Sequence, residues 1–359
     1  MLPRRLNTTM AISYNAEKGG AASNSVRQLI AQAGATCLDV DYYCIVPQVN
    51  DIDEIYHDNA RMTWICSQAK SKAKEYLKNA DCLILPGNGC IVDPRLYQHP
   101  LQKQQAEHID LSRAIAEMAL AYVALQHGMP LLAICGGHQI LNVFLGGKIS
   151  DVSEDDIDMY MGYSINQFMK SSELGKIAFN HQTHCYTNLD CFENAFFGAH
   201  SQIVSLQDIG GKGLVFGQNL LNIAAISKND YSIEAMESNF GSPIYSLQFH
   251  PEVATVGMFS AIQNKVTYFP PTRASFEINL NIIRAFKQAS ETFAYKKTLN
   301  HELQNCISHQ TENYPEMSGK NNKPDTKSYS SYLSLFNDMT YTKSKVESIN
   351  CKPIIRYYK

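Results

Sequence analysis

The sequence predicts an α/β fold with a mostly parallel central sheet and helices on both of its faces. Three observations support this class. Short apolar runs alternate along the chain with longer segments that are apolar at helical spacing, and one such run, Leu131–Ile134, breaks at Cys135 into an amphipathic segment. In addition, 45% of the 359 residues are hydrophobic, which is enough for a large core. Alternating strands and helices favour a parallel sheet that is covered on both sides.

The elements follow in order from the apolar pattern. The predicted strands are Thr9–Tyr14, Thr36–Asp41, Cys82–Leu85 and Leu131–Ile134, and the predicted helices are 24–33, 64–78, 112–126 and 136–145. Residues 201–249 look more like paired strands, with turns at Gly210-Gly211 and Asn229-Asp230. Active sites of parallel sheets lie at the carboxyl ends of strands, where Cys135 and the turn at Pro86-Gly87 both fall.

Cys135 occupies the sharpest predicted turn, between an apolar strand and the segment Gly136-Gly137-His138-Gln139. Small residues around such a turn lift the side chain at its apex clear of its neighbours, as in a nucleophile elbow. The helix that follows directs unpaired N–H groups at the sulfur and favours the thiolate. The pattern predicts a nucleophilic cysteine, although a buried, unreactive cysteine is the alternative for this segment taken alone.

A second segment, Gln248-Phe-His-Pro-Glu252, follows another apolar run. Residues two apart on an extended chain project to the same side, so the carboxylate of Glu252 can reach the ring of His250. In a cysteine enzyme, the histidine accepts the thiol proton and a carboxylate orients the ring. A surface histidine beside an acid is the default interpretation of this tripeptide in isolation.

A third segment, Asp81-Cys-Leu-Ile-Leu-Pro-Gly-Asn-Gly-Cys90, is an apolar strand that ends in a glycine turn. Backbone N–H groups of such a turn, together with that of Gly136, can form an oxyanion hole. The alternative is an ordinary turn at the end of a core strand.

In this order, the three segments resemble the class I glutamine amidotransferase superfamily, and within it the γ-glutamyl hydrolase branch of C26-type peptidases, which includes γ-glutamyl-γ-aminobutyrate hydrolases. The resemblance spans roughly residues 8–290. Four further segments carry it: Leu85-Pro-Gly-Asn with Pro94 and Tyr97, Leu141-Asn-Val-Phe-Leu-Gly-Gly147, Phe179-Asn-His-Gln-Thr-His184 and Ser232-Ile-Glu-Ala-Met-Glu237.

The resemblance implies a cysteine hydrolase that cleaves γ-glutamyl amide bonds through a thioester and needs no cofactor. Its implied site residues are the triad Cys135, His250 and Glu252, the backbone N–H groups of Gly87, Asn88 and Gly136 as oxyanion hole, and the substrate-binding residues Gln139, Asn180 and His184. The sequence departs from the family at Gly136, where the family usually has a larger residue, and in the block 181–185. His138 beside the site is expected to be packed or solvated rather than to assist protonation.

Three alternatives stay open. A glutaminase would pass ammonia to a synthase partner, which would have to act in trans because no synthase domain is fused to this chain. A catalytically idle scaffold would use the fold for protein binding. A metal site at His181, His184 and Cys185 lacks the second ligand pair that structural zinc sites normally draw on, so no metal is expected.

Composition restricts the class of protein further. Ten cysteines without paired short spacings indicate reduced thiols and a cytoplasmic protein rather than a disulfide framework. No apolar run approaches a membrane span, and nothing resembles a nucleic-acid module. The expected partner is therefore a small-molecule or peptide γ-glutamyl substrate, with neither nucleic acid nor membrane involved.

Two domains are predicted: a catalytic domain over 1–295 and a polar extension over 296–359, partly flexible or docked, which could contact a protein partner. The extension holds ten Lys and Arg against six Asp and Glu. The acidic stretch 151–160 follows the nucleophile helix as a solvated loop, or else favours a cationic leaving group. Residues 256–274 are an insertion expected near the same cleft.

Overall fold

The chain is described by a computed structural model over residues 8–17, 20–47, 52–152, 161–178, 191–213, 218–253 and 273–311. Its strands are β1 Thr9–Tyr14, β2 Thr36–Asp41, β3 Cys82–Leu85, β4 Leu131–Ile134, β5 Ser150–Asp151, β6 Met161–Met169, β7 Cys191–Ala199, β8 Gln202–Ile203, β9 Leu221–Ser227, β10 Ile233–Ser238 and β11 Ile244–Leu247. Its α-helices are α1 Gly20–Gln32, α2 Tyr42–Ile45, α3 Ile52–His57, α4 Asn59–Leu77, α5 Leu111–Gln126, α6 Gly136–Phe144, α7 Glu173–Ala178 and α8 Arg273–Thr311. Two 3₁₀ helices, Pro94–Tyr97 and Lys103–His108, lie between β3 and α5.

Nine strands form the central sheet, in the order β2-β1-β3-β4-β11-β10-β9-β6-β7. The five strands from β2 to β11 pair in parallel, and the remaining strands pair antiparallel. The predicted α/β class with parallel central strands is confirmed. β3, β4 and β11 are neighbours in the parallel half, so their carboxyl ends bring the three predicted motifs to one edge.

The core lies on both faces of the sheet because side chains of each buried strand alternate between them. On β4, Leu131 and Ala133 pack in one hydrophobic cluster with α4, α5 and α6, whereas Leu132 and Ile134 pack in the other with α1 and α8. Each cluster therefore receives two of the four side chains of β4, and all four are buried. This two-sided burial explains why β4 reads as a continuous apolar run rather than an alternating one.

Helix α8 covers the second face with residues one turn apart. Ile278, Ile282 and Phe286 are buried at successive i, i+4 positions. Further along, Lys297 Nζ lies 2.7 Å from Asp81 Oδ1 and donates to the carbonyl oxygen of Ala80 at 2.8 Å. The helix continues without a break through residue 296 to Thr311, where the composition change suggested a boundary. The division into 1–295 and 296–359 stays a prediction.

The predicted strands β1 to β4 have the bounds that the structure shows, and the four predicted helices agree within a few residues, with the largest difference at the start of α4. The turn at Asn229-Asp230 connects the antiparallel strands β9 and β10 as predicted. Strands β6 and β7 and helix α8 were not predicted. No helix in the described part of the chain combines the length and apolar character needed to cross a membrane.

Candidate active site

Cys135 sits at the sharp turn between β4 and α6. Its backbone has φ 50° and ψ −107°, a conformation that L-residues rarely adopt, and such a residue costs on the order of 1–3 kcal/mol. The N–H of Cys135 donates to the carbonyl oxygen of Leu247 at 2.7 Å, which ties the elbow to β11. The strand therefore ends with the sulfur held at the carboxyl edge of the sheet, as the predicted elbow requires.

Gly137 allows α6 to start directly against β3. A Cβ atom built on Gly137 would lie 2.1 Å from the carbonyl oxygen of Leu85, a distance that no real contact has. Only glycine fits where the helix backbone approaches the strand this closely. This explains the glycine at the second position after the cysteine.

His250 and Glu252 follow β11 and lie beside the elbow. His250 Nδ1 is 2.7 Å from Glu252 Oε1, and Glu252 is fully buried. The N–H of His250 donates to the carbonyl oxygen of Phe197 at 2.8 Å, which fixes its backbone. Because Nδ1 is engaged by the carboxylate, Nε2 is the ring nitrogen that remains for Cys135, whose side chain lies near the ring across Gly87.

The charges of these neighbours favour the protonated ring. Burial opposes a positive charge on His250, but the negative charges of Cys135 and Glu252, and hydrogen bonds to both, raise its pKa well above the ordinary value of 6.5. The arrangement can therefore hold an imidazolium beside Cys135 at neutral pH. A protonated histidine next to the sulfur favours a cysteine nucleophile.

Gly87 lies against both members of this pair. A Cβ atom built on it would stand 2.9 Å from His250 Cε1 and 3.0 Å from Cys135 Cβ. The position is therefore closed to any side chain. It brings the backbone of the Pro-Gly turn directly against Cys135 and the ring of His250.

Arg113 of α5 holds this turn in place from below. Its Nη2 donates to the carbonyl oxygen of Pro86 at 2.9 Å, and its Nη1 donates to Asn88 Oδ1. The guanidinium also lies beneath the first residue of α6, since a Cβ built on Gly136 would be 3.2 Å from Nη2. One buried side chain thus bonds Asn88 and the residue before Gly87, and it lies close to Gly136. Gly87, Asn88 and Gly136 are the three residues of the predicted oxyanion hole.

Glu117 balances the charge of this guanidinium within the interior. Its Oε1 accepts from Arg113 Nε at 3.0 Å and from Ser13 Oγ at 2.8 Å, and all three side chains are buried. The Asn88 side chain also accepts from the N–H of Cys90 at 2.8 Å. A buried ion pair is weak support for stability, but it can fix the position of what it binds.

The predicted substrate-binding residues are described only in part. Gln139, one turn into α6, is buried, and its Nε2 donates to the carbonyl oxygen of Gln202 at 2.8 Å and to Gln248 Oε1 at 3.2 Å. Asn180 and His184 lie outside the described residues, as do His181 and Cys185. Within the described part of the chain, no group of three or more His, Cys, Asp or Glu side chains is arranged to hold a metal ion.

His138 is packed, in line with the expectation for it. It is fully buried, its Nδ1 is 2.8 Å from Ser246 Oγ, and burial lowers its pKa to about 3. A neutral ring enclosed in this way contributes to the interior under α6. It supplies no proton to a substrate.

Comparison with known proteins identifies the family of the chain. A model of the family Peptidase C26 matches residues 46–252 of the chain. The chain belongs to the Peptidase C26 family. This membership confirms the resemblance drawn from the motifs.

Relatives of this Peptidase C26 chain include a Rickettsia bellii protein named for ankyrin repeats, which is 34% identical over 300 residues that cover 82% of this chain and 43% of that protein. A glutamine amidotransferase-like protein of Rickettsia prowazekii is 35% identical over 149 residues, which cover 37% of this chain and 91% of that protein. The chain spans less than half of the length of the Rickettsia bellii and Rickettsia felis relatives named for ankyrin repeats.

Solved structures are similar at lower identity. The glutaminase domain of a Trypanosoma brucei CTPS with bound acivicin has a TM-score of 0.46 at 14% identity, covering 79% of this chain and 94% of that chain. A glutamine amidotransferase from Thermotoga maritima has a TM-score of 0.42 at 12% identity, covering 81% of this chain and 98% of that chain.

Sequence analysis missed the residues that support the Peptidase C26 site from α5 and β7. Arg113 and Glu117 stand one helical turn apart in an otherwise apolar helix, and that spacing was the available signal. The residues after β7, which lie over Cys135 and Gln139, carry no motif. Only the folded chain brings them to the site.

Proposed function

We propose that the chain is a cysteine hydrolase that cleaves γ-glutamyl amide bonds through a γ-glutamyl thioester. The observation that carries the proposal is the proximity of Cys135, at a strained elbow, to a His250 ring that Glu252 holds at 2.7 Å. The close approach of Gly87 to both residues supports it further. The chemistry below follows from these positions.

In the first half-reaction, the thiolate of Cys135 attacks the side-chain carbonyl carbon of the γ-glutamyl group, and a carbon–sulfur bond forms. Negative charge moves to the carbonyl oxygen, where the N–H groups of Gly87, Asn88 and Gly136 would stabilise it. The tetrahedral intermediate then collapses, and the carbon–nitrogen bond breaks. His250 gives its proton to the departing amine, so that a neutral amine leaves.

In the second half-reaction, neutral His250 accepts a proton from a water molecule that attacks the thioester. The carbon–sulfur bond breaks, free glutamate forms, and the proton on His250 restores the ion pair with Cys135. Glu252 keeps the ring oriented through both steps. Every atom comes from substrate, water or these side chains, so the cycle needs no cofactor.

A panel assay tests this proposal. The protein is incubated with γ-glutamyl amides of amine-bearing and neutral leaving groups, with poly-γ-glutamate and with glutamine, beside a Cys135→Ala variant. We expect release of glutamate from one class of γ-glutamyl amide and none in Cys135→Ala, whose circular dichroism should match the parent. Turnover that survives in Cys135→Ala would refute the mechanism.

Two other outcomes would replace the proposal. Ammonia release from glutamine alone would identify a glutaminase, an activity in line with the glutamine amidotransferase-like relative of Rickettsia prowazekii and with a GMP synthase of Clostridium kluyveri that is 27% identical over 126 residues. Inactivity of the folded protein toward every compound of the panel would replace the hydrolase with a binding scaffold.

A further inference from the structure

Residues 199–202, which are the last residue of β7 and the three that follow it, lie over the assembled site, and we call them the strap. The carbonyl oxygen of Ala199 is 3.9 Å from Cys135 Sγ. The carbonyl oxygen of Gln202 accepts the hydrogen bond from Gln139 Nε2 at 2.8 Å. One short stretch of backbone therefore touches both the sulfur and the side chain expected to bind the glutamyl group.

Little of the site is open to solvent. Cys135 exposes 5% of its surface, His250 exposes 6% and Gln139 exposes 4%. The carbonyl of Ala199 lies against one side of Sγ, and a substrate carbonyl that approaches from that side would meet it. The triad is assembled, but its nucleophile is covered.

His200, the second residue of the strap, marks how close the strap comes to the site. Its ring is buried, and burial, with the positive charge of His250 acting in the same direction, lowers its pKa to about 3, against a weaker opposing effect of Asp230. The ring is therefore neutral beside the imidazolium. The strap adds no charge that would disturb the pair of Cys135 and His250.

We propose that the strap closes the site of the resting protein and that it must swing away before a γ-glutamyl substrate reaches Cys135. This inference rests on the proposed function for the identity of the substrate. Opening would break the hydrogen bond from Gln139 Nε2 to the carbonyl oxygen of Gln202. Nε2 could then donate to an oxygen of the glutamyl group instead. Substrate and strap compete for the same donor.

Hydrogen bonds of Ser201 and Gln202 fasten the far end of the strap. Gln202 Nε2 donates to Asp151 Oδ1 at 3.0 Å, and Gln202 Oε1 accepts from the N–H of Val92 at 3.2 Å. The paired strands β5 and β8 have two residues each, and the N–H of Val152 donates to the carbonyl oxygen of Ser201 at 2.9 Å. Ribbons this short are marginal, so the strap can be released without unfolding the sheet.

The near end of the strap provides a pivot. The carbonyl oxygen of Phe197 is bonded to the N–H of His250, so β7 stays attached to the site up to that residue. Gly198 follows directly and precedes the strap, and it and Ala199 are the last two residues of β7 that pair with β6. Opening therefore separates these two pairs from β6. A glycine has the widest choice of backbone conformations, which suits a hinge between the fixed part of the strand and a segment that moves.

Site-resolved alkylation tests the strap without any substrate. Protein is treated with iodoacetamide, and peptides that contain Cys135 are quantified by mass spectrometry against those that contain Cys44, an exposed cysteine in the same chain. The test variants are Gln202→Ala and Asp151→Ala, which remove the fastening from either side. Asp151 is exposed, so its variant is expected to fold. Gln126→Ala is the matched control, because Gln126 bonds Tyr122 at the far end of α5.

We expect the ratio of the alkylation rate at Cys135 to that at Cys44 to rise roughly fivefold in each test variant. This is the factor by which the loss of one ordinary hydrogen bond changes an equilibrium. Gln126→Ala should leave the ratio unchanged. If substrate must displace the strap, KM for the hydrolysed γ-glutamyl amide should fall by a similar factor in the same variants, with kcat nearly unchanged.

The ratio of alkylation rates could stay unchanged in both folded test variants while the protein hydrolyses γ-glutamyl amides. That result would overturn the proposed closure by the strap and would leave the proposed function intact. A raised ratio in a protein that hydrolyses none of the panel would support the strap and refute the proposed substrate. The two inferences therefore fail separately.

Discussion

Arg113 Nη2 donates a 2.9 Å hydrogen bond to the carbonyl oxygen of Pro86, and this bond sets the direction of the next peptide group. A trans peptide is planar, with its C=O and N–H on opposite sides. The N–H of Gly87 is therefore directed away from the guanidinium. In the proposed mechanism, that N–H is one of the donors that stabilise the oxyanion.

Replacement of Arg113 by Lys tests this positioning role. Lysine keeps a positive charge beside Glu117 but has no fork that can bond Pro86 and Asn88 together. We expect kcat for the γ-glutamyl amide to fall roughly 10- to 100-fold, less than the 10²–10³ that removal of an oxyanion donor costs, with a smaller change in KM. Arg27→Lys, at an exposed ion pair with Asp39, is the control. A folded Arg113→Lys variant with the kcat of the parent would contradict the role.

Gly87→Ala places a methyl group where His250 and Cys135 leave no room. Either the turn or the imidazole must shift, and a misplacement of about 1 Å near the reacting atoms can cost roughly 100-fold in rate. We expect at least that loss in kcat/KM, measured with the same substrate, and a small change in the midpoint of thermal unfolding.

Gly89→Ala is the matched control for this substitution. A Cβ built on Gly89 meets no atom within 4 Å, although the residue belongs to the same turn. Its activity should stay within a factor of about two of the parent, because surface substitutions of this kind usually change little. Equal losses in the two variants would show that the turn tolerates no change at all, and would remove the steric explanation.

Glu252→Gln is expected to move the alkaline limit of the reaction. His250 must be protonated to supply the leaving amine with a proton, and its raised pKa keeps it so well above pH 6.5. As pH rises through the pKa of His250, the ring loses its proton and kcat falls. Glutamine keeps an acceptor for Nδ1 but removes the negative charge, so the pKa of His250 should fall and the alkaline limb of kcat should move toward pH 6.5.

The profile of kcat against pH measures this effect, with Glu173→Gln as an exposed control at the start of α7. If the alkaline limb of kcat lies at the same pH in Glu252→Gln and in the parent, the carboxylate does not set the charge of the His250 ring.

Glu234 on β10 makes the stability of the fold depend on pH. It is fully enclosed and accepts from Asn166 Nδ2 at 3.0 Å, and burial raises its pKa to about 8 from an ordinary 4.5. Between these values, the folded chain holds a proton that the unfolded chain has released. Stability should therefore decrease as pH rises from about 4.5 to about 8, by on the order of a few kcal/mol.

Glu234→Gln should remove this dependence, because an amide stays neutral and can still accept from Asn166. Urea unfolding at pH 5 and pH 8 measures it, with the difference between the two pH values compared in parent and variant. The hypothesis fails if Glu234→Gln retains the full difference.

The residues that sequence analysis identified are those whose chemistry shows in local patterns. The four buried strands β1 to β4 were predictable from short apolar runs, and the elbow at Cys135 from glycines that allow β3 and α6 to meet. His250 and Glu252 were paired by their spacing of two on an extended segment. Each of these signals lies within a few residues of chain.

Long-range contacts gave no such signal. β7 pairs with β6 at the sheet edge, yet its end reaches Cys135, which is far away in sequence, and no pattern in the segment predicts that path. The hydrogen bond from Arg113 to Pro86 joins α5 to the turn after β3. Helix α8 was missed because polar residues dominate its exposed side, while its buried contacts at Ile278, Ile282 and Phe286 depend on the sheet beneath them.

The placement of Ala199 over Cys135 also affects how readily this thiol is oxidised. Peroxide and disulfide exchange reach a thiolate by the same route as any other electrophile. With that route closed, an exposed thiol such as Cys44 would be oxidised first, and the nucleophile would stay reduced until a substrate arrives. The segment that delays turnover thereby also preserves the capacity for it.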